Sequence, residues 1–163
     1  MSPEDIYSMI CAHAGAAVIA GEVSGTHPYA VIAPGAWPAV AEFLRDDAGL
    51  QFDFLRAVSA VDYAQENKLA SVYELVSTVF RHTFAIKVFT TRDEPHLPSV
   101  AAVWPAANWH EREAYDLMGI VYDGHPDLRR ILLPEDWQGC PLRKDYVFPT
   151  DYNGIPCQSA PNP

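Results

Sequence analysis

Apolar positions along this chain recur first at a helical spacing, then at alternate residues, and at the end with no period at all. Ile6, Met9, Ile10 and His13 fall on one side of a helix. Ser2-Pro3-Glu4-Asp5 starts it with a serine cap, a proline in the first turn and acids at the positive end of the dipole. Gly15 stops it. Residues 16–23 and 29–33 are rich in strand formers and read as short strands joined by a turn at Ser24-Gly25. A second helix begins near Trp37-Pro38, with Val40, Phe43 and Leu44 as its stripe and Gly49 as its end. Residues 52–63, 69–80 and 83–91 then have strand character. The last is clearest, with Phe84, Ile86 and Val88 on one face and Thr83, Ala85 and Lys87 on the other. The polar Gln65-Glu66-Asn67-Lys68 joins the first pair as a hairpin loop, and Arg81-His82 joins the second tightly. The order αββαβββ predicts an α+β domain: a mainly antiparallel or mixed sheet of about five strands with helices covering one face.

Beyond the sheet, two short helices are expected near 99–104 and 109–118, separated by Pro105. Asn108 caps the second and Glu111 reaches back to it. Trp109, Ala114, Leu117 and Met118 face inward, Arg112 and Asp116 pair one turn apart, and Gly119 supplies a left-handed stop. From residue 120 the helical and alternating patterns cease. Prolines at 126, 134 and 141 each remove a backbone donor, yet Leu128, Ile131, Leu132, Leu133, Trp137, Leu142, Tyr146 and Phe148 are too much apolar surface for a solvated tail. The chain therefore divides into a 1–119 domain and a 120–163 extended, partner-docking ribbon, whose residues past Pro149 read equally as a strap or a loose end.

Length and charge narrow the function. At 163 residues, 49% apolar and 20% charged, the chain suits one globular domain. A net charge of −10 argues against nucleic acid and against anionic lipid. No apolar run is long enough to span a bilayer, and the acidic start MSPEDIYSMI is unlike an export signal. Cys11, Cys140 and Cys157 form no CxxC pair, so this chain alone supplies no four-cysteine iron–sulfur cluster. Gly21, Gly25 and Gly35 make no nucleotide loop, and there is no GxSxG or HExxH.

Two clusters invite a sharper reading. His110 and Glu113 share a helix face, and with His125 they would make a small metalloenzyme, although a di-metal site needs such pairs from more than one helix. The plainer reading is a capped, salt-bridged helix, with His125-Pro126 as a turn. Arg129-Arg130 and Arg143-Lys144 stand beside Leu, Trp and Tyr in an acidic protein. They are either solvated or built to grip carboxylates on a partner.

WHEREAYDLMGI, followed by GHPDLRRILLPEDW and PLRKDY, closely resembles the signature of the 30-kDa subunit of respiratory complex I, the proton-pumping NADH:quinone oxidoreductase. Bacteria call it the C subunit, and the plastid and cyanobacterial relative has it as the J subunit. The resemblance implies a non-catalytic subunit of the quinone-reducing part of the hydrophilic arm, on the cytoplasmic face of the membrane. It implies packing on the 49-kDa (D) subunit near the iron–sulfur subunits. No cofactor is expected on this chain; FMN, iron–sulfur clusters and quinone belong to its partners. The signature carries over to Glu111, Arg112, Tyr115, Asp116, Gly119, His125, Pro126, Leu128, Arg129 and Arg130, and in the same ribbon to Arg143, Lys144, Asp145 and Tyr146. Their implied role is architecture and subunit contact. The alternative assembly is a membrane-bound [NiFe] hydrogenase or an F420- or ferredoxin-fed complex.

Overall fold

The computed structural model describes residues 1–157. Helix α1 (Pro3–Ala14) opens with the capping box that Ser2 and Asp5 complete. Strands β1 (Val18–Glu22) and β2 (Tyr29–Ile32) follow, then α2 (Trp37–Asp46) and the long strands β3 (Phe54–Tyr63), β4 (Lys68–Val76) and β5 (Thr83–Thr91). They form one sheet in the order β1-β2-β5-β4-β3. It is mixed: β2 runs parallel to β5, while every other pair is antiparallel.

Alternation along β4 and β5 decides which face is buried. Leu69, Tyr73, Leu75, Phe84, Ile86 and Val88 point into a core shared with Ile6 and Ile10 of α1 and with Trp37, Val40 and Leu44 of α2. The same core takes Leu97, Val100, Trp104 and Ala107. The α+β class with helices on one face is as the pattern required.

Several boundaries differ from expectation. Helix α2 ends at Asp46, not Gly49, because the Asp47 carboxylate turns the chain by accepting the amides of Gly49 and Leu50. Strand β4 stops at Val76, and a six-residue loop replaces the tight turn. Its Arg81 adopts a left-handed φ of 58° so that its amide can reach Ser77 O at 2.9 Å. Residues 99–104 are a single turn rather than a helix, preceded by β6 (His96–Pro98). Strand β6 pairs in parallel with β7 (Val121–Asp123) just after α3 (Ala107–Met118). Three-residue strands are too short to show alternation in sequence. Ile120 and Tyr122 lie in the core, so the packed body continues past Gly119.

From 124 to 150 the chain has neither helix nor strand, and Asp151–Tyr152 (β8) and Ile155–Pro156 (β9) close a small hairpin. The final six residues of the expected strap lie outside the described residues.

Candidate functional site: the helix α3 and ribbon junction

An α-helix leaves its last four carbonyls without partners. In α3 all four are accounted for, and three of the donors come from the ribbon. Gly119 N–H donates to Tyr115 O at 2.9 Å. Arg130 Nη1 donates to Asp116 O at 3.2 Å, Leu142 N–H to Leu117 O at 3.1 Å, and Arg143 Nε to Met118 O at 2.9 Å. Two guanidinium groups thus sit at the negative end of the helix dipole.

The Asp116 carboxylate is the hub of this junction. It is fully buried, and it accepts three successive amides: Ile131 at 3.0 Å, Leu132 at 2.7 Å and Leu133 at 2.9 Å. Arg130 Nη1 adds a salt bridge at 2.8 Å. Burial alone would raise its pKa, but the three amides and Arg130 outweigh that and hold it below the usual value. Arg130 spans the turn by also donating to Trp137 O at 3.1 Å.

Arg112 is buried and does not pair with Asp116. It donates to Arg129 O at 3.2 Å and faces Asp127 at 3.9 Å. The expected intrahelical pair is absent because each partner finds ribbon groups that would otherwise be unsatisfied. His125 places Nε2 3.1 Å from Asn108 O, and Asp127 N–H reaches its Nδ1 at 3.0 Å. Both ring nitrogens are committed to backbone, which leaves neither for an ion. Among the described residues no three His, Cys, Asp or Glu side chains converge as a metal would need, so His110, Glu113 and His125 form no centre.

A second anchor fixes the far end of the ribbon. Asp62 on β3 is buried and accepts Lys144 N–H at 2.9 Å, while Arg92 joins Asp62 to Asp145. Nothing in the sequence joins Lys144 and Asp145 to this cluster, since Lys144 lies 82 residues from Asp62. Tyr146 OH donates to Gln138 O at 2.9 Å. Leu128 packs against the core, Tyr115 is half-buried, and Pro126 is exposed.

Glu111 departs most from expectation. Helix α3 begins at Ala107 with no side-chain cap, because Asn108 already lies inside it. Glu111 instead turns inward and is fully buried, accepting Ser99 Oγ at 2.6 Å and Val100 N–H at 2.9 Å. Burial pushes its carboxyl up to about 7 despite these two donors. It thereby pins the turn that replaces the expected helix. Trp109, read as inward-facing, is 63% exposed beneath the Arg112 guanidinium, 5.1 Å from its ring.

Gly119 has φ +73°, and a Cβ there would lie 2.6 Å from Cys140 Sγ. Gly119→Ala is expected to cost about 2–3 kcal/mol in urea unfolding, summing left-handed strain and overpacking. Adding Cys140→Ala should recover only the contact part, so full recovery would show that the backbone angle carries no strain.

The junction's charge pattern changes the reading of the ribbon. Arg130 and Arg143 serve their own domain. The Arg129 side chain is 70% exposed, and among the described residues it pairs only with Asp127, at 2.9 Å. The Lys144 side chain is also exposed. Leu132, Leu142, Val147, Phe148 and Ile155 remain half or more uncovered.

Known proteins resemble this chain along most of its length. The profile of a family described as the respiratory-chain NADH dehydrogenase 30 Kd subunit matches residues 30–152. The NADH-quinone oxidoreductase C subunit of Chlorobium phaeobacteroides is 48% identical over 151 residues, covering 91% of both chains. The protein of the same name from Chloroherpeton thalassium is 50% identical over 121 residues, 74% of this chain and 50% of its own length. The chain thus spans about half of several longer relatives and nearly all of a short one. Among solved structures, a trypsin-resistant fragment (1–134) of Nqo5 aligns with TM-score 0.63 and 30% identity, over 78% of this chain and all of the fragment. A chain of an archaeal membrane-bound sulfane sulfur reductase shares the fold at TM-score 0.72 and 22% identity, over 88% of this chain and 85% of that one. With a family match across residues 30–152 and a relative 48% identical over 91% of both chains, the chain belongs to the respiratory-chain NADH dehydrogenase 30-kDa subunit family.

Proposed function

We propose that the chain is a structural subunit of an NADH-quinone oxidoreductase, held in the quinone-reducing part of the arm on the cytoplasmic face and docked on the 49-kDa (D) subunit. In this reading FMN, iron–sulfur clusters and quinone lie on other chains, and the present chain fixes their geometry. Such positioning matters because a shift of about 1 Å can cost on the order of a hundredfold in rate. The observation that carries the reading is the ribbon. Two internal carboxylates pin it, yet it leaves Leu132, Leu142, Val147, Phe148 and Arg129 exposed to solvent. Exposed apolar surface beside an unburied guanidinium is the composition of an interface core with its charged specificity contact. Among the described residues no helix is long and apolar enough to cross a membrane, so attachment through the assembled complex fits. The hydrogenase-type or F420- or ferredoxin-fed alternative is less favoured, given 48% identity to a subunit of a quinone-linked NADH oxidoreductase.

Reversal of Arg129 alone separates docking from folding. Arg129→Glu should lower retention of the chain in the purified oxidoreductase about tenfold or more, with quinone reductase activity falling in step. Amide protection in α3 should stay unchanged. Full retention with normal activity would remove Arg129 from the interface and leave the docking reading without its charged contact.

A further inference from the structure

A second recognition feature lies at the end of the ribbon, away from α3. Trp137, Tyr146 and Tyr152 wall a cavity of about 410 Å³, closed by Asp136, Val147, Pro149 and Asp151. The Trp137 and Tyr152 rings are tilted, with centroids 5.1 Å apart. Asp136 uses one oxygen to accept Tyr152 OH at 2.6 Å, and Asp151 uses one to accept Gly154 N–H at 2.7 Å. Each carboxylate keeps a second oxygen, and among the described residues no lysine or arginine lines the cavity. The Trp137 Nε1 atom is shielded and meets no acceptor among those residues.

These features specify an occupant. Aromatic side chains and two carboxylates lining one cavity favour a planar cation, and a guanidinium satisfies both through stacking and charge-assisted hydrogen bonds. We infer that this cavity receives an arginine side chain from a partner polypeptide of the assembly. The following residues 158–163 (QSAPNP) carry no cation and so do not supply that group. The inference rests on the subunit reading above but concerns a different surface from Arg129.

The test uses the assembled oxidoreductase carrying this chain with a photo-crosslinking phenylalanine analogue at Val147, which is 85% exposed on the cavity rim. Illumination should link it to a peptide of another subunit that contains an arginine. The Asp136→Asn/Asp151→Asn pair keeps both internal hydrogen bonds and should cut the yield of that link about tenfold. Links confined to residues 158–163, links to a segment without arginine, or an unchanged yield in the neutral pair would each overturn the proposal. Retention of the unmodified chain in the complex is scored separately. If the chain does not assemble at all, the subunit reading fails and takes this inference with it; assembly with any of those three results sinks the inference alone.

Discussion

Asp116→Asn should release the ribbon from α3 and cost about 3–5 kcal/mol. One carboxylate oxygen, Oδ2, accepts the amides of Ile131, Leu132 and Leu133, and the other accepts Arg130. An asparagine offers one acceptor and turns an NH2 group toward a site made of donors. The variant therefore loses acceptors and places a donor against N–H or guanidinium groups, the costly arrangement for a buried polar cluster. Hydrogen exchange reads the result directly: amides 131–133 should lose protection while β4 and β5 keep theirs. Trypsin should then cut after Arg129 and Arg130 in the variant well before the parent. Arg130→Gln gives a useful contrast, because Asp116 would retain its three amides and the loss should be nearer about 1–2 kcal/mol. Equal protection of 131–133 in parent and Asp116→Asn would mean that the ribbon is held mainly by its apolar contacts.

Glu111→Gln should abolish a pH dependence of stability that the parent carries between about pH 4.5 and 7. In the folded chain burial raises the carboxyl to about 7 from its ordinary 4.5, so across this interval the native state binds more protons than the unfolded chain. Stability must then fall as pH rises, and level off above 7. The full swing is about 3 kcal/mol if the unfolded value is ordinary. Glutamine retains an acceptor for Ser99 Oγ or Val100 N–H, and it carries no charge to desolvate. It should therefore be less stable than the parent near pH 5, within about 1 kcal/mol, and more stable near pH 8. Urea midpoints at the two pH values supply the comparison, and parallel profiles would show that Glu111 stays ionised throughout. The exposed carboxylates Asp127 and Asp145 oppose this trend, since Arg129 and Arg92 hold them below the usual range. Their stabilisation is present at neutral pH and fades only below about pH 4.

How far the sequence reaches depends on the range of the interaction. Capping of α1 by Ser2, the alternation in β5 and the left-handed stop at Gly119 are local, and each is readable from neighbouring residues. The parallel β2–β5 pairing and the three-residue β6 and β7 are not, because partners more than 20 residues away decide them. In α3 the period places Ala114 and Met118 inward correctly but mistakes the polar face for a solvated one. Glu111, Arg112 and Asp116 are buried because loop amides and carbonyls, invisible to periodicity, demand charged partners. The same logic turns all the ribbon's cations outward, whereas Arg130 and Arg143 answer the orphan carbonyls of their own helix. The family is correctly recognised from these residues, but much of their polar content holds the chain to itself.

The two carboxylate anchors close loops of very different length, so local opening is expected to free one end of the ribbon before the other. Asp116 meets its amides 15–17 positions downstream, as soon as α3 exists, whereas Lys144 must find Asp62 across 82 positions and only after β3 has joined the sheet. A nascent or damaged chain with an incomplete sheet will hold the beginning of the ribbon while its end swings free. The exposed face of the ribbon is therefore complete only when both carboxylates have met their amides.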